Sequence, residues 1–296
     1  MQNFTTILKS NEIDKIHYLL KQYQVVKPDN PYLLYFYKVN NLTISIFTSK
    51  KILVQGQGAK NFYEKLINQK KTTPNNHTNV KITDYIGCDE VGVGDYFGGL
   101  VTCAVYLKKS NENKLNQIGV CDSKKLNDAQ MVHIFPKLHT VCEYECGILL
   151  PHEYNQLVKR FKNTHIVKSY LHDLTIKKLT KRLNLGKTAN VVMDQFVARN
   201  AYYAYFEKIS ITPYEITKFE TKAENKYLAV AAASIIARIF FLKQIVVLSK
   251  RVHISLLLGA SNPKIIEQAR TIYRDGGVKK LSQFAKIDFA TTKKVV

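Results

Sequence analysis

The sequence is short of acidic residues. Against 44 Lys and Arg there are only 23 Asp and Glu, a formal charge of +21 over 296 residues. That imbalance favours a polyanionic partner, although a lysine-rich protein that is merely soluble would show it too. Cysteine is sparse: Cys88, Cys103, Cys121, Cys142 and Cys146 are odd in number and form no CxxC pair, which disfavours disulfides and a zinc knuckle. Met1 leads into polar Gln2-Asn3 and then a helix-like segment, without an apolar stretch or small-residue cleavage site, so export is not expected. Also missing is an uncharged run of the roughly 20 residues needed to span a bilayer. The apolar segment Tyr227 to Leu248 is interrupted by Arg238, Lys243 and Gln244, and it reads as a buried core helix with no membrane partner.

What remains is a globular composition, 46% hydrophobic and 23% charged, long enough for one large or two ordinary domains. Ser10 can cap a helix with apolar positions Ile13, Ile16, Leu19, Leu20 and Tyr23, ended by Pro28 and Pro31. Strand patterns follow at Tyr32 to Val39, Leu42 to Thr48 and Ile52 to Gln55, with turns at Asn40-Asn41 and Ser49-Lys50-Lys51, then a helix from Lys60 to Asn68. Residues 1–69 thus make a small α+β unit. The polar, Pro-containing tract 70–83 reads as a linker, and 84–296 as a second domain. Residues 1–83 carry +8 and residues 84–296 carry +13, so both parts can meet a polyanion.

The second part alternates strands and helices. Strands are expected at Asp84 to Asp89, Leu100 to Leu107, Cys142 to Leu150, Val191 to Asp194 and Tyr214 to Phe219. Helices are expected at Asp128 to Leu138, Glu153 to Phe161, Ile166 to Leu183, Ala198 to Ile209, Leu228 to Leu248, Lys264 to Asp275 and Val278 to Phe284. An early antiparallel meander followed by alternation argues for α/β with a mixed sheet.

The densest stretch is Tyr85 to Gly99, where an apolar strand runs into Asp89-Glu90 and then Gly92-Val93-Gly94. Adjacent half-buried carboxylates are costly unless cations neutralise them, and glycines let the backbone approach a ligand closely. Asp194 ends a Val-Val-Met run and fits equally a ligand at the strand edge or a helix N-cap. Glu224, at a helix N-terminus, is alone explained by the macrodipole. Taken together, four carboxylates at element ends would suit Mg²⁺ or Mn²⁺ rather than zinc, and two such ions about 4 Å apart serve phosphodiester hydrolysis. The histidines, His172 among them, show no ligand spacing and are assigned no role.

The run Gly87 to Gly98 resembles the signature of type 2 ribonucleases H, and its Asp95-Tyr96-Phe97-Gly98 tail is closer to ribonuclease HIII than to HII. Further matches follow in order: Asp122-Ser123-Lys124-Lys125-Leu126, Asp194-Gln195-Phe196, Lys222-Ala223-Glu224 leading into Leu228 to Arg238, and Phe289-Ala290-Thr291-Thr292-Lys293. The resemblance covers about residues 84–296. It implies a ribonuclease H-like mixed sheet with flanking helices that cleaves the RNA strand of RNA/DNA hybrids by two-metal-ion hydrolysis, leaving 5′-phosphate and 3′-hydroxyl ends. It further implies Asp89, Glu90, Asp194 and Glu224 as the metal-binding, catalytic carboxylates, with Asp89 and Asp194 shared between ions. Substrate binding is implied at Gly92, Val93 and Gly94, which would read ribose 2′-hydroxyls through the backbone, and at Ser123, Lys124, Lys125 and Ser234. The family commonly has a polar or basic residue where Val93 stands and proline where Gly99 stands. The N-terminal unit resembles the TATA-box-binding-protein-like domain that ribonucleases HIII use to bind substrate, through its order of elements and Val54-Gln55-Gly56.

The expectation is therefore a cytoplasmic, monomeric endoribonuclease using Mg²⁺ or Mn²⁺. Two other readings stand beside it. One is a non-catalytic hybrid- or DNA-binding protein whose carboxylates are caps; the other is incision at single ribonucleotides embedded in DNA, as by ribonuclease HII.

Overall fold

The computed structural model describes residues 3–20, 23–25, 28–68, 83–120, 126–186 and 189–296. Two compact units, Met1–Val80 and Lys81–Val296, each enclose a hydrophobic core. Of the tract 70–83 only its last residue lies among the described residues, and Ser123, Lys124 and Lys125 lie outside them.

The first unit comprises β1 (Asn3–Ile7), α1 (Ser10–Leu20), β2 (Leu33–Val39), β3 (Leu42–Phe47), β4 (Lys51–Gln55) and α2 (Ala59–Asn68). Its strands form an antiparallel sheet in the order β1-β4-β3-β2. Tyr37, Ile44, Ile46, Ile52 and Val54 turn towards Ile16 and Leu20 of α1 and Ala59 and Leu66 of α2. Strand alternation divides the aromatics. Tyr37 is buried beneath α1, where its hydroxyl meets His17 Nδ1 at 2.7 Å, while Phe36 takes the opposite face. The segment expected to be helix-like after Asn3 is instead the strand β1. Phe4 to Ile7 are aromatic or β-branched and alternate in exposure, so they extend the sheet beside β4. Helix α1 ends at Leu20, leaving Tyr23 beyond it.

The second unit runs β5 (Tyr85–Val91), β6 (Leu100–Leu107), α3 (Glu112–Gln117), α4 (Asp128–Leu138), β7 (Glu143–Leu149), α5 (Pro151–Phe161), α6 (Thr164–Arg182), β8 (Asn190–Asp194), α7 (Arg199–Lys208), β9 (Lys218–Glu220), α8 (Leu228–Val252), α9 (Pro263–Arg274) and α10 (Gly277–Leu281). Its sheet has the order β7-β6-β5-β8-β9. The pairs β7/β6 and β6/β5 are antiparallel, whereas β5/β8 and β8/β9 are parallel, which makes the expected mixed sheet.

Helix α8 covers one face of this sheet, and α6 and α7 cover the other. Every residue from Ala229 to Ala237 is buried, because small side chains let the helix lie directly on β5 and β6. Gly87 is what permits the approach: a Cβ there would stand 2.3 Å from Val230 N. By length and composition α8 could cross a bilayer, but 67% of its most apolar window is buried inside the fold.

In this second unit, three further elements differ from the sequence expectation. Helix α3 was not expected, since Leu115 is its only buried residue and no apolar periodicity announces it. The strand expected from Tyr214 contracts to Lys218–Glu220, because Asp173 Oδ1 takes the Tyr214 amide (2.6 Å) and the Tyr203 hydroxyl takes that of Ile216 (3.0 Å). Strand β5 runs on past Asp89 to Val91, so Asp89 and Glu90 sit within a strand and not at its end.

Candidate active site

Strand pleat separates the two adjacent carboxylates. Ile86 and Cys88 face the α6/α7 side and Tyr85 the α8 side, so Asp89 points towards α8 and Glu90 towards α6. Asp89 Oδ1 accepts from the Glu90 amide at 2.8 Å, and its carboxylate also bonds the Ser234 hydroxyl of α8. Burial above all, then the charges of Glu90 and Asp194, push the Asp89 carboxyl well above the usual range. Ser234, expected to bind substrate, is 6% exposed and turned onto Asp89.

Asp194 reaches Asp89 through sheet register. The parallel ladder pairs Gly87 with Val192 and Cys88 with Met193, so one further step sets Asp194 beside Asp89 on the α8 face. Asp194 Oδ1 then accepts from the Ala223 amide at 2.8 Å. Ala223 opens the single helical turn Ala223–Asn225, preceded by Lys222 in the left-handed region (φ +55°), and that turn carries Glu224 buried to 7% exposure. One hydrogen bond thus draws the fourth carboxylate's turn onto the third carboxylate.

On the other face of β5, Lys168 Nζ donates to Glu90 Oε1 at 2.7 Å and His172 Nε2 donates to Oε2 at 2.9 Å. Both donors are on α6, four residues apart and hence on one face of the helix. Lys168 also lies over the Phe196 ring at 3.9 Å. Burial alone would raise the Glu90 carboxyl, but His172 and Lys168 outweigh it and hold Glu90 below the usual range. His172, assigned no role from sequence, is therefore a direct partner of a candidate catalytic residue, and Lys168 was missed altogether. Their i, i+4 spacing was a visible signal, but the packing of α6 against β5 was not.

Beyond β5 the chain turns through Gly92 to Asp95, whose amide returns to Gly92 O at 3.4 Å. Gly92 has φ +102°, and a Cβ there would stand 2.7 Å from Gly99 O. Val93 is half exposed, and a Cβ on Gly94 would meet nothing within 4 Å, so the tip is bare backbone open to a ligand. Asp95 Oδ1 fixes the far side by accepting from Gly259 N at 2.7 Å. Gly99 cannot be the proline common in the family. Its amide donates to Gln244 Oε1 of α8 at 2.6 Å, and a Cβ there would lie 1.9 Å from Leu149 O. Arg238, one turn beyond Ser234 on α8, forks onto Asp128 Oδ1 and Oδ2 (2.9 and 3.0 Å) and anchors the start of α4.

The donor set suits a hard dication. All four groups are carboxylates, and the raised Asp89 carboxyl marks a place where added positive charge would be stabilising. Among the described residues, no three His, Cys, Asp or Glu side chains stand close enough to ligate a single ion. The carboxylates are instead gathered as Asp89 with Asp194, Asp194 with the Glu224 turn, and Glu90 with its α6 donors.

A family model described as Ribonuclease HII matches residues 86–292, and one described as a domain of unknown function (DUF3378) matches residues 3–79. The chain is 34% identical over 310 residues to a Ribonuclease HIII of Ureaplasma parvum serovar 3, covering 98% of this chain and 97% of that protein. It is 36% identical over 296 residues to a Ribonuclease HIII of Lactococcus lactis subsp. lactis, covering 99% and 98%. A crystal structure of Bst-RNase HIII in complex with Mn2+ superposes with a TM-score of 0.68 at 29% identity, covering 99% of this chain and 98% of that one.

Proposed function

Because the chain belongs to the ribonuclease HIII family, we infer that its gathered carboxylates are the catalytic centre of an endoribonuclease. The enzyme cleaves the RNA strand of RNA/DNA hybrids and uses Mg²⁺ or Mn²⁺. Water attacks the scissile phosphorus and the P–O3′ bond breaks, leaving a 3′-hydroxyl on one fragment and a 5′-phosphate on the other. The chemistry supplied by the divalent ion is neutralisation of charge at the phosphodiester and a lowered pKa for the attacking water.

Asp89, Glu90, Asp194 and Glu224 would share the divalent ions between them, no single ion drawing on three of them as they stand. Ser234 and the Glu90 amide steady Asp89, Ala223 N steadies Asp194, and Lys168 with His172 keeps Glu90 ionised. The exposed Val93-Gly94 tip presents backbone to the ribose 2′-hydroxyls, which distinguishes RNA from DNA without side chains. Ser123, Lys124 and Lys125 bind phosphate oxygens in this reading, and the formal charge of +21 supports a polyanionic substrate. The N-terminal sheet adds grip on the hybrid, and the enzyme works as a cytoplasmic monomer.

The observation that carries the reading is the β5/β8 register, which sets Asp194 beside Asp89, together with the bond from Ala223 N that draws the Glu224 turn onto Asp194. Asp194→Asn is expected to abolish cleavage of an RNA/DNA hybrid in either metal while the protein stays folded; cleavage at the wild-type rate would overturn the assignment. Neither a non-catalytic binder nor single-ribonucleotide incision is favoured by relatives named Ribonuclease HIII. The enzyme should prefer a continuous hybrid to a duplex with one embedded ribonucleotide.

A further inference from the structure

The loop that follows the Gly92-Val93-Gly94 tip is held by the C-terminal segment. Phe97 forms an antiparallel bridge with Ala285. Gly98 N donates to Phe284 O, and Lys286 N donates to Tyr96 O, both at 2.9 Å. At the centre is the Lys286 side chain, 1% exposed, whose Nζ donates to Gly98 O at 2.8 Å and to Gly99 O at 3.0 Å. Gly99 O is the atom against which Gly92 packs, 2.7 Å from where a Cβ on Gly92 would be. The lysine amine, the Gly99 carbonyl and the first glycine of the tip are thus stacked in one line of contact.

A lysine is an expensive residue to bury. Among the described ion pairs none involves Lys286. The charged groups that face it are Asp95, from the loop, and Asp288, two residues further on. Tyr154 of α5 and Phe289 place their rings 5.6 and 5.5 Å from Nζ, and Tyr154 spends its hydroxyl on Asp288 at 3.4 Å. Burial pushes the Lys286 ammonium down to about 7. An apolar side chain of similar length would fill the space without that cost, but it would leave the Gly98 and Gly99 carbonyls without their donor. The middle of the Gly92–Gly99 loop is anchored by Asp95, which accepts from Gly259 N, and by the buried Tyr96 and Phe97, whereas its Gly98-Gly99 end has no side chain of its own and takes its restraint from outside.

We propose that Lys286 is a positioning residue that fixes the Gly92–Gly99 loop from behind, so that the Val93-Gly94 tip meets the hybrid in one conformation. The proposal rests on the tip being the reader of ribose hydroxyls, and it assigns Lys286 to substrate affinity and not to the chemical step.

The test is steady-state cleavage of an RNA/DNA hybrid in Mn²⁺ by wild type, Lys286→Met and Lys286→Gln, with an all-DNA duplex of the same sequence as competitor. Lys286→Met is expected to raise KM about tenfold with kcat within about twofold of wild type. Lys286→Gln keeps one donor and should fall between the two. A lowered kcat at unchanged KM overturns the proposal, as do folded variants with wild-type KM. If both variants fail to fold, Lys286 belongs to stability alone and the proposal also fails. Failure of the underlying reading shows elsewhere: if the all-DNA duplex competes with wild type as strongly as an uncleaved hybrid would, the tip does not distinguish RNA, whatever Lys286 does. If wild type discriminates and Gly94→Ala weakens hybrid binding while Lys286→Met does not, only the role of Lys286 is lost.

Discussion

His172 Nε2 donates to Glu90 Oε2 at 2.9 Å, from a helix on the opposite side of β5 from the one that holds Asp89. Together with Lys168 it occupies both Glu90 oxygens, so the two adjacent carboxylates of β5 receive opposite treatment. Asp89 is raised by burial and neighbouring carboxylates, and Glu90 is held low by donors from α6. Support of this kind behind a metal ligand typically changes metal affinity or activity by about 10–100-fold. Lys168→Met and His172→Ala should each weaken Mn²⁺ binding within that range, as titrated by calorimetry, without moving KM for the hybrid. Wild-type Mn²⁺ affinity in both variants would reduce these residues to packing.

The two glycines Gly87 and Gly94 should respond to alanine in opposite ways. On Gly87 a Cβ meets Val230 N at 2.3 Å and Ala229 at 2.4 Å, so Gly87→Ala must push α8 off β5 and pull Ser234 from Asp89. Overpacking of this kind costs about 1–3 kcal/mol, and both stability and kcat should fall. On Gly94 a Cβ meets nothing within 4 Å and the backbone is not left-handed. Gly94→Ala should therefore keep the wild-type Tm and lose only hybrid affinity. A drop in Tm for Gly94→Ala would show that the tip is structural.

These contrasts separate what the sequence made legible from what it did not. Asp89, Glu90, Asp194 and Glu224 were found because each sits in a local pattern of strand, turn or helix start, and such patterns are written in neighbouring residues. The division of Asp89 from Glu90 by the pleat was also available, since alternation along a strand needs only parity. The α6 donors were not, because Lys168 and Glu90 are 78 residues apart and their contact depends on which turn of α6 lies over β5. Gly99 shows the same limit. Its departure from the family pattern was visible, but its partner Gln244 lies 145 residues away in a helix that reads only as apolar. The shortened β9 was missed because side-chain capture of the Tyr214 and Ile216 amides leaves no trace in hydrophobic periodicity.

Gln244 supplies a stability prediction of its own. From a buried position on α8 its amide accepts from Gly99 N (2.6 Å) and donates to Leu149 O (3.0 Å), closing the start of β6 onto the end of β7. Gln244→Leu keeps the volume and strands both backbone groups. Leaving buried polar groups unpaired costs about 1–3 kcal/mol, so the urea midpoint should fall while the slope of the transition stays unchanged. A stabilised Gln244→Leu would mean that the Gly99 amide finds another acceptor.

Lys286 makes stability depend on pH with a definite sign. Unfolded, the amine titrates near its ordinary value of 10.5, whereas burial lowers it to about 7 in the folded protein. Between those values the unfolded chain holds one proton more than the folded one, so unfolding is increasingly favoured as pH falls from 10.5 towards 7. Below about 7 both states are protonated and the penalty is constant. Other groups titrate across the same window, so the informative quantity is the difference between wild type and Lys286→Met, which cancels them. That difference also contains the lost bonds to Gly98 and Gly99, but as an offset and not a slope. Urea unfolding from pH 6.5 to 9.5 should show wild type gaining on Lys286→Met by up to about 1.4 kcal/mol per pH unit above pH 7. Parallel curves would mean that Lys286 stays protonated throughout, its buried charge supported by Asp95 and Asp288 more strongly than burial opposes it.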